Sequence, residues 1–436
     1  MADVQPLQGI RYNSEVPGNL AQVITPPYDV ISEEAQVKYY ARNPYNIIRL
    51  ELGMDEPGDT SLNNRYTRAA AIFAEWRVNS ILQQETTPCY YLYQQIFSHN
   101  DQTYIRTSLL ARVRLEPWST RIVLPHEHTL AKPKDDRLKL LRACVTNLSP
   151  IMSLYEDPQG RMRSLLSSYP ETTEVQITDE MNEVHRLHPI TDEKHIALIQ
   201  NFFSQRQLYI ADGHHRYETA LNYREEARAM HRKLDPKDAA NFVLMALTDV
   251  DDPGLLVLPT HRLLFGLHQD ALKKLTSQNL ARYFTVYELE GAEASHDELL
   301  ERLVQIGASQ SSFVLSTVQN TWLLSLNGAG KARMGESGHS NAWNELDVAI
   351  AHTLILEDIL GLKAEDMTAG THIRYTRDAQ QALGAVQTGE AQASLILNAT
   401  RVRQISDVAI ADERMPQKST YFYPKLVTGL VMNPLW

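Results

Sequence analysis

The sequence predicts an α/β or α+β protein of two domains, and three observations support this prediction. With 436 residues, the chain is longer than an ordinary single-core domain. The segment QLYIA predicts a strand, a helix follows over about 214–230, and NFVLMALT predicts a second strand. After about residue 266, helices of mixed polarity alternate with strands such as SFVLSTV and WLLSLN. We therefore expect a first domain over 1–265 and a C-terminal α/β domain over 266–436.

Charge and composition exclude several classes of partner. The chain has 42 basic and 53 acidic residues, whereas nucleic-acid-binding surfaces need clustered Lys and Arg. Its two cysteines, Cys89 and Cys144, have neither metal-binding nor redox spacing. The sequence begins without the pattern of a secretory signal, and nowhere do about 18 apolar residues run together. We expect a cytoplasmic protein without nucleic-acid or membrane partners, and a homodimer is an open possibility.

Turn and capping residues define the first elements. Pro26 and Pro27 end a short strand in QVITPPYDVIS, and Ser32, followed by two glutamates, predicts the start of a helix. Apolar residues at helical spacing predict a helix over 65–78. The segments CYYLYQQIF and SLLARVRLE, joined by the polar SHNDQ, predict a β-hairpin.

Later elements are predicted in the same way. A helix is expected to begin at Asp135 or Asp136, after the loop VLPHEHTLAKPK. The strands QLYIA and NFVLMALT flank a helix, so right-handed parallel pairing between them is the default expectation. The Gly- and Ser-bearing stretch 327–340 predicts a flexible loop or linker.

The segment ADGHHRYETAL joins a predicted strand to a predicted helix. A helix start leaves N–H groups unpaired and carries partial positive charge, so such a joint can bind an anion. Gly213 permits the tight turn, while His214, His215 and Arg216 add side-chain donors. Asp212 would repel a phosphate unless it binds a cation or accepts a proton, as phosphoryl transfer requires. The alternative is structural, with Asp212 as N-cap, the histidines as half-buried polar groups and Arg216 in a surface ion pair.

Two further segments offer polar side chains. Asp29 follows a rigid Pro-Pro turn that can direct it into a cleft, or it stabilises that turn itself. PHEHT contains His126, Glu127 and His128, of which only the two histidines share a face of an extended segment. Because no third metal ligand is fixed by spacing, a substrate-binding loop is the preferred interpretation.

Three later segments complete the set of candidates. Asp251 and Asp252 in DVDDPG suit Mg²⁺, or they form a solvated acidic turn. His261 and Arg262 in PTHR are candidates for substrate binding. Lys418 in MPQKSTYFYPK belongs to a segment without the glycines of a Walker loop, which is either a clamp over the phosphate loop or a buried aromatic strand.

The chain resembles a large bacterial family of uncharacterised proteins, catalogued as domain of unknown function 1015. The resemblance rests on TPPYDVI, NPYNIIRLELG, RVRLEPW, VLPHEHT, DRLKLLRACVTNLSPI, YIADGHHRYETALNYR, DDPGLLVLPTHR and MPQKSTYFYPKLVTGLV. These motifs occur in order from about residue 7 to about 431. The family resemblance implies no activity.

A shorter stretch resembles the superfamily of sulfiredoxins, ParB-like proteins and free-serine kinases. These proteins place a G-x-H-R or related loop at a helix start, and Gly213, His215 and Arg216 match it. The resemblance implies a nucleotide-phosphate site in a mixed sheet domain, with Asp29 as the base on a substrate hydroxyl. His214 stands where sulfiredoxins have their cysteine nucleophile, which argues against sulfinic acid repair.

Together these features predict an enzyme that transfers phosphate from ATP or ADP to a small hydroxylated metabolite such as serine. Asp29, Asp212 and His214 are the expected catalytic residues, and Gly213, His215 and Arg216 would bind the phosphates. Asp212, together with Asp251 or Asp252, would bind Mg²⁺. Two alternatives remain open. One is a phosphohydrolase in which His214 protonates the leaving group, and the other is a nucleotide-binding switch without turnover.

Overall fold

The computed structural model describes residues 1–170, 173, 175–231, 235–289, 296–363 and 370–436. It confirms a mixed α/β chain with a large sheet and a second sheet-bearing unit. The first compact unit comprises Met1–Pro125, Thr129–Leu256 and Pro424–Trp436, and the second comprises His126–His128 and Val257–Tyr423. The first unit leaves the chain at Leu256, and the strand over His261–Leu264 pairs within a sheet of the second unit.

The strands are numbered in chain order. They are β1 (Val4–Gln5), β2 (Ile10–Tyr12), β3 (Leu82–Gln84), β4 (Tyr90–His99), β5 (Gln102–Arg114), β6 (Val123–Leu124), β7 (Thr146–Asn147), β8 (Ile151–Tyr155), β9 (Val175–Thr178), β10 (Val184–Ile190), β11 (Leu208–Asp212), β12 (Phe242–Asp249), β13 (Leu256–Leu258), β14 (His261–Leu264), β15 (Phe284–Leu289), β16 (Ser312–Thr317), β17 (Thr321–Leu326), β18 (Ile373–Thr376), β19 (Ala393–Leu397), β20 (Tyr421–Tyr423) and β21 (Asn433–Pro434).

The helices are numbered separately. They are α1 (Glu33–Arg42), α2 (Ile48–Glu51), α3 (Arg65–Val78), α4 (Ala131–Cys144), α5 (Arg161–Ser167), α6 (Glu193–Phe203), α7 (His214–His231), α8 (Gln269–Leu272), α9 (Ser277–Leu280), α10 (His296–Gly307), α11 (Gly328–Gly335), α12 (Asn341–Asn344), α13 (Asp347–Ile350), α14 (Ala379–Gln387) and α15 (Val402–Ile410). A π-helix over Ala351–Ile359 continues α13.

The first unit is built on a nine-stranded mixed sheet. Its order is β6-β11-β8-β12-β5-β4-β10-β9, with β1 also beside β5. The predicted hairpin is confirmed by antiparallel pairing of β4 and β5. Alternate residues of β5, among them Leu109, Ala111 and Val113, are buried in one hydrophobic cluster that also includes Phe203 of α6 and Tyr217 of α7. This core fixes the start of α7 against the sheet.

The predicted parallel pairing of β11 with β12 is wrong. Strand β8 lies between them, antiparallel to β11 and parallel to β12. All five residues of β8 are buried, so this short apolar strand fits the centre of the sheet. As a result, Asp212 pairs with Met152 near the start of β8, whereas Asp249 pairs with Tyr155 at its end.

Helix boundaries show where local signals succeed and fail. The Ser32 hydroxyl accepts a hydrogen bond from Ala35 N, which confirms the predicted cap of α1. Helix α4 begins at Ala131, earlier than predicted, because its proline lies in the first turn, where a missing N–H costs little. The predicted linker over 327–340 is wrong in its first half, since Asn327 caps the helix α11.

The second unit contains a six-stranded sheet in the order β15-β17-β16-β19-β14-β18, with every neighbouring pair antiparallel. Helices α10 and α14 contribute Leu299, Leu303 and Val386 to a hydrophobic cluster with the sheet. In the part of the chain that the structure describes, no helix has both the length and the apolar character to cross a membrane.

Candidate active site

The joint between β11 and α7 is a single glycine. Asp212 ends the strand, His214 begins the helix, and Gly213 between them has φ +98°. A Cβ at Gly213 would lie 3.0 Å from Nε and Nη2 of Arg216, so the guanidinium occupies the space that a side chain would need. Both the backbone conformation and this close approach therefore require glycine. The predicted strand, turn and helix are present.

Two cations flank the Asp212 carboxylate. Lys425 Nζ donates to Oδ1, and Arg216 Nη2 donates to Oδ2 at 2.8 Å. Burial alone would raise the pKa of Asp212, but Lys425 and Arg216 outweigh it and hold that pKa well below its usual range. Asp212 is thus a permanent carboxylate at neutral pH and a poor proton acceptor. Its contacts suit it to orient the two cations.

A chain of buried polar contacts continues from Arg216. Arg216 Nη1 donates to Pro150 O at 2.6 Å and to Ser149 Oγ at 3.2 Å. Ser149 Oγ in turn donates to Glu51 Oε1 at 3.2 Å, and Arg137 Nη1 lies 3.3 Å from the same oxygen. These contacts fix the guanidinium of Arg216 in one orientation.

The chain of contacts ends at the segment that carries Asp29. The guanidinium of Arg137 lies 4.0 Å from the centre of the Tyr28 ring, and Asp29 is the next residue, exposed in the same single turn. Thr25 and Thr428 exchange two backbone hydrogen bonds, of 3.3 and 2.7 Å. Asp29 and Lys425 therefore lie on two segments that pair directly, although they are distant in sequence.

The two histidines of the loop differ in their surroundings. His214 is buried and contributes to the low pKa of Asp212. His215 Nε2 accepts a hydrogen bond of 2.9 Å from Leu130 N, just before α4. With Nε2 as acceptor, a neutral His215 ring carries its proton on Nδ1.

A cavity of about 50 Å³ borders Arg216, with Glu51, Arg137 and Ser149 among its lining residues. Pockets for nucleotide-sized ligands have volumes of roughly 300 Å³ or more. A nucleotide at this loop would therefore place most of its atoms outside the cavity, with only its phosphates near the start of α7.

The predicted Mg²⁺ ligands, Asp251 and Asp252, lie in the turn that follows β12. Asp252 accepts backbone hydrogen bonds from Gly254 N at 2.8 Å and Thr107 N at 3.2 Å, one on each carboxylate oxygen. Burial raises the pKa of Asp252 to about 6. Asp251 and Asp252 also follow the end of β12, at the opposite end of β8 from Asp212. Their contacts are those of a turn stabilised from within.

Another group has the side-chain types of a metal site. One ligand atom each of Asp179, Glu183 and His185 lies within 4.8 Å of the others. The hydroxyl of Tyr93 lies 2.9 Å from His185 Nδ1, which turns Nε2 toward Asp179. This group is not evident from the sequence, because its ligand spacing resembles no common metal motif.

The remaining predicted residues belong to the second unit. The second unit contains His126, Glu127, His261, Arg262 and Lys418. Lys418 N lies 3.4 Å from Glu127 Oε1, and Arg262 Nη2 lies 3.5 Å from Lys418 O. Burial and the neighbouring Arg262 lower the pKa of His261 to about 4, so this ring is neutral at physiological pH.

Two polar residues of the first unit, Glu51 and Ser149, were not among the predicted site residues, since NPYNIIRLELG and TNLSPI indicated only the family. Lys425 ends MPQKSTYFYPK, for which a clamp over the phosphate loop was one of two interpretations, with Lys418 as its candidate residue. The one available signal was composition, because Lys425 follows a proline in an aromatic segment. Nothing local connects it to Asp212.

Comparison with solved structures gives distant similarities. A conserved hypothetical protein from Pyrococcus furiosus is 12% identical, with 73% of this chain and 92% of that chain covered and a TM-score of 0.35. A free serine kinase in complex with AMP is 10% identical, with 72% and 86% covered and a TM-score of 0.36. SbnI with C-terminal truncation from Staphylococcus aureus is 12% identical, with 73% and 85% covered and a TM-score of 0.34. These TM-scores are too low to bear on activity.

No curated protein matches the chain. The model of one protein family, described as "Protein of unknown function (DUF1015)", matches residues 4–349. This match spans most of the first unit and part of the second. The chain therefore belongs to the family of proteins of unknown function DUF1015.

Proposed function

We propose that the protein transfers a phosphoryl group from ATP or ADP to a small hydroxylated metabolite, with serine or a similar compound as the acceptor. The observation that carries the proposal is the joint of β11 and α7, where Gly213 lets a helix start follow a strand directly beside Arg216 and Lys425. Helix N–H groups and two cations together form a site for nucleotide phosphates.

The proposed roles follow from the contacts of each side chain. The first N–H groups of α7, Nδ1 of His215 and the cations Arg216 and Lys425 bind the phosphates. Asp212 positions Arg216 and Lys425 and does not accept a proton, because its pKa is held low. The exposed Asp29 is the base. His214 is buried beside Asp212 and acts through it rather than on the substrate.

The reaction is a displacement at phosphorus. The acceptor's hydroxyl oxygen attacks the terminal phosphorus, and the bond from that phosphorus to the bridging oxygen breaks. The shortened nucleotide leaves with the electron pair, and the hydroxyl proton passes to Asp29. Most of the catalytic effect comes from positioning and from charge on the phosphate oxygens. Mg²⁺ would come with the nucleotide, since this ion often keeps its waters and binds substrate phosphates.

A second candidate is a nucleotide-binding switch, favoured by the Lys425–Asp212 pair. An arriving phosphate competes with Asp212 for Lys425, which belongs to the segment Pro424–Trp436. Gln95 Nε2 also donates a hydrogen bond of 3.1 Å to Lys425 O in that segment. Occupancy of the site would thereby change the contacts of the chain's C-terminal segment.

The test is product analysis by phosphorus NMR. The protein is incubated with Mg²⁺ and ATP, or with Mg²⁺ and ADP, with and without a panel of hydroxylated metabolites that includes serine. A new phosphate-ester signal that requires an acceptor supports the kinase. Free phosphate without an acceptor indicates the hydrolase. Binding without turnover, accompanied by changed hydrogen exchange in 424–436, indicates the switch and contradicts the kinase.

A further inference from the structure

The second unit contains a cavity of about 430 Å³. This volume lies in the range of roughly 300–1,000 Å³ that small-molecule sites occupy. Its walls come from the end of α10, from α11 to α13, and from the segment between β19 and α15. Side-chain amides and hydroxyls predominate, with Met334 and Ile350 among the few apolar residues. A polar cavity of this size inside one unit is the form of a binding site for a small polar molecule.

One carboxylate in this cavity is half-buried. Asp347 is hydrogen-bonded by the side chains of Ser311 and Asn398, and burial raises its pKa to about 6. These neutral donors compensate part of the cost of burying a carboxylate. A positively charged group of a ligand beside Asp347 would compensate the remaining cost of burial.

A guanidinium is fixed in the wall of the same cavity. Arg401 Nη2 donates to Gly307 O at 2.9 Å and to Ala308 O at 3.2 Å, which holds the side chain in place. Arg401 is also close enough to lower the pKa of Asp347. The cavity thus presents two charged groups of opposite sign, a carboxylate and a guanidinium.

The lining also argues against other ligands. The lining has two acidic residues, Glu345 and Asp347, and two basic ones, Lys331 and Arg401. Because these charges balance, a polyanion such as a nucleotide would gain little electrostatic stabilisation there. None of the described lining residues is aromatic, so a nucleobase would find no ring on which to stack. A ligand with one positive and one negative group matches the wall best.

We propose that this cavity binds a free α-amino acid as its zwitterion, with the ammonium group on Asp347 and the carboxylate on Arg401. The amide-rich remainder of the wall, including Asn344 and Gln404, would contact the side chain of the ligand. This site lies within the second unit and is independent of the proposed phosphate site in the first.

The test begins with thermal shift of the full chain against each of the twenty proteinogenic L-amino acids, without nucleotide. Calorimetry then gives the affinity of the amino acid with the largest shift. Its carboxamide and its N-acetyl derivative each lack one of the two charges. We expect each derivative to bind about tenfold more weakly or worse, the loss that accompanies one charged hydrogen bond. No shift with any of the twenty, or equal binding of either derivative, would overturn the proposal.

Variants identify the site. Asp347→Asn and Arg401→Gln should each weaken binding by about tenfold or more. Asp407→Asn changes an exposed aspartate of α15 outside the cavity and is the matched control. Arg216→Gln, in the phosphate loop, should also leave amino-acid binding unchanged. Wild-type affinity in Asp347→Asn, or loss of binding in Arg216→Gln alone, would place the amino acid elsewhere and contradict the assignment.

Discussion

Lys425 and Asp212 lie 213 positions apart in sequence and form a hydrogen-bonded ion pair. Because Arg216 binds the second oxygen of the same carboxylate, one acid orients two cations at the start of α7. The pair also joins the C-terminal segment to the loop that the sequence marks as a phosphate site.

Replacing Lys425 by methionine keeps most of the aliphatic stem and removes the charge. We expect ADP binding to weaken by about 1.5–3 kcal/mol, the range for a lost hydrogen bond to a charged group. Lys38→Met removes an exposed lysine of α1 and should leave the affinity unchanged. Calorimetric titration gives both values, and equal affinities would remove Lys425 from the site.

Gly213→Ala separates backbone strain from displacement of Arg216. Gly58 has a similar φ of +93°, and a Cβ added there would have no atom within 4 Å, so Gly58→Ala is the matched control. Both variants should lose about 1–3 kcal/mol of unfolding free energy from strain. Only Gly213→Ala should also lose ADP binding, because its Cβ meets the Arg216 guanidinium. Parallel losses of binding in the two variants would contradict this role.

Asp212→Asn tests the ion pairs through acid denaturation. The pKa of Asp212 is lowered in the folded state, so its stabilising contribution is present above the unfolded pKa of about 4 and is lost as pH falls further. Between about pH 6 and about pH 2.5, the wild type should therefore lose more unfolding free energy than the variant. Urea denaturation across this range measures both, and parallel curves would show that Asp212 is not strongly paired.

Glu183 should give stability the opposite dependence on pH from Asp212. Burial and the neighbouring Asp179 raise the pKa of Glu183 from 4.5 to about 7, although Arg106 acts to lower it. Between these values the folded state binds more protons than the unfolded state, so stability falls as pH rises. Glu183→Gln removes the titrating carboxyl. Relative to the wild type, the variant should therefore gain more unfolding free energy at about pH 8 than at about pH 5. Glu15→Gln, at an exposed loop position, should show no such difference. A pH-independent effect of Glu183→Gln would contradict the raised pKa.

The sequence predicted elements whose signals are local. Ser32 and the helical spacing of 65–78 indicated α1 and α3, and the glycine at 213 indicated the joint of β11 and α7. The parallel pairing failed because β8, far away in sequence, inserts between the two strands. That insertion also separates Asp212, at the end of β11, from Asp251 and Asp252, which follow the end of β12.

The site itself was predicted only in part. Asp212, Gly213 and Arg216 lie within five positions, so their chemistry could be recognised from residue types. Lys425 contacts Asp212, and Glu51 is linked to Arg216 through Ser149. These contacts join residues far apart in sequence, so spacing along the chain does not reveal them. Asp29 was selected for its rigid turn, and the Thr25–Thr428 bridge explains how that turn comes to lie beside the Lys425 segment.

The most direct test of the phosphate site is a crystal structure of the protein grown with ADP. We expect the terminal phosphate at the first turn of α7, within hydrogen-bonding distance of a backbone N–H of that turn and of Lys425 Nζ. A nucleotide bound elsewhere, with the Lys425–Asp212 pair unchanged and no phosphate at α7, would contradict this expectation.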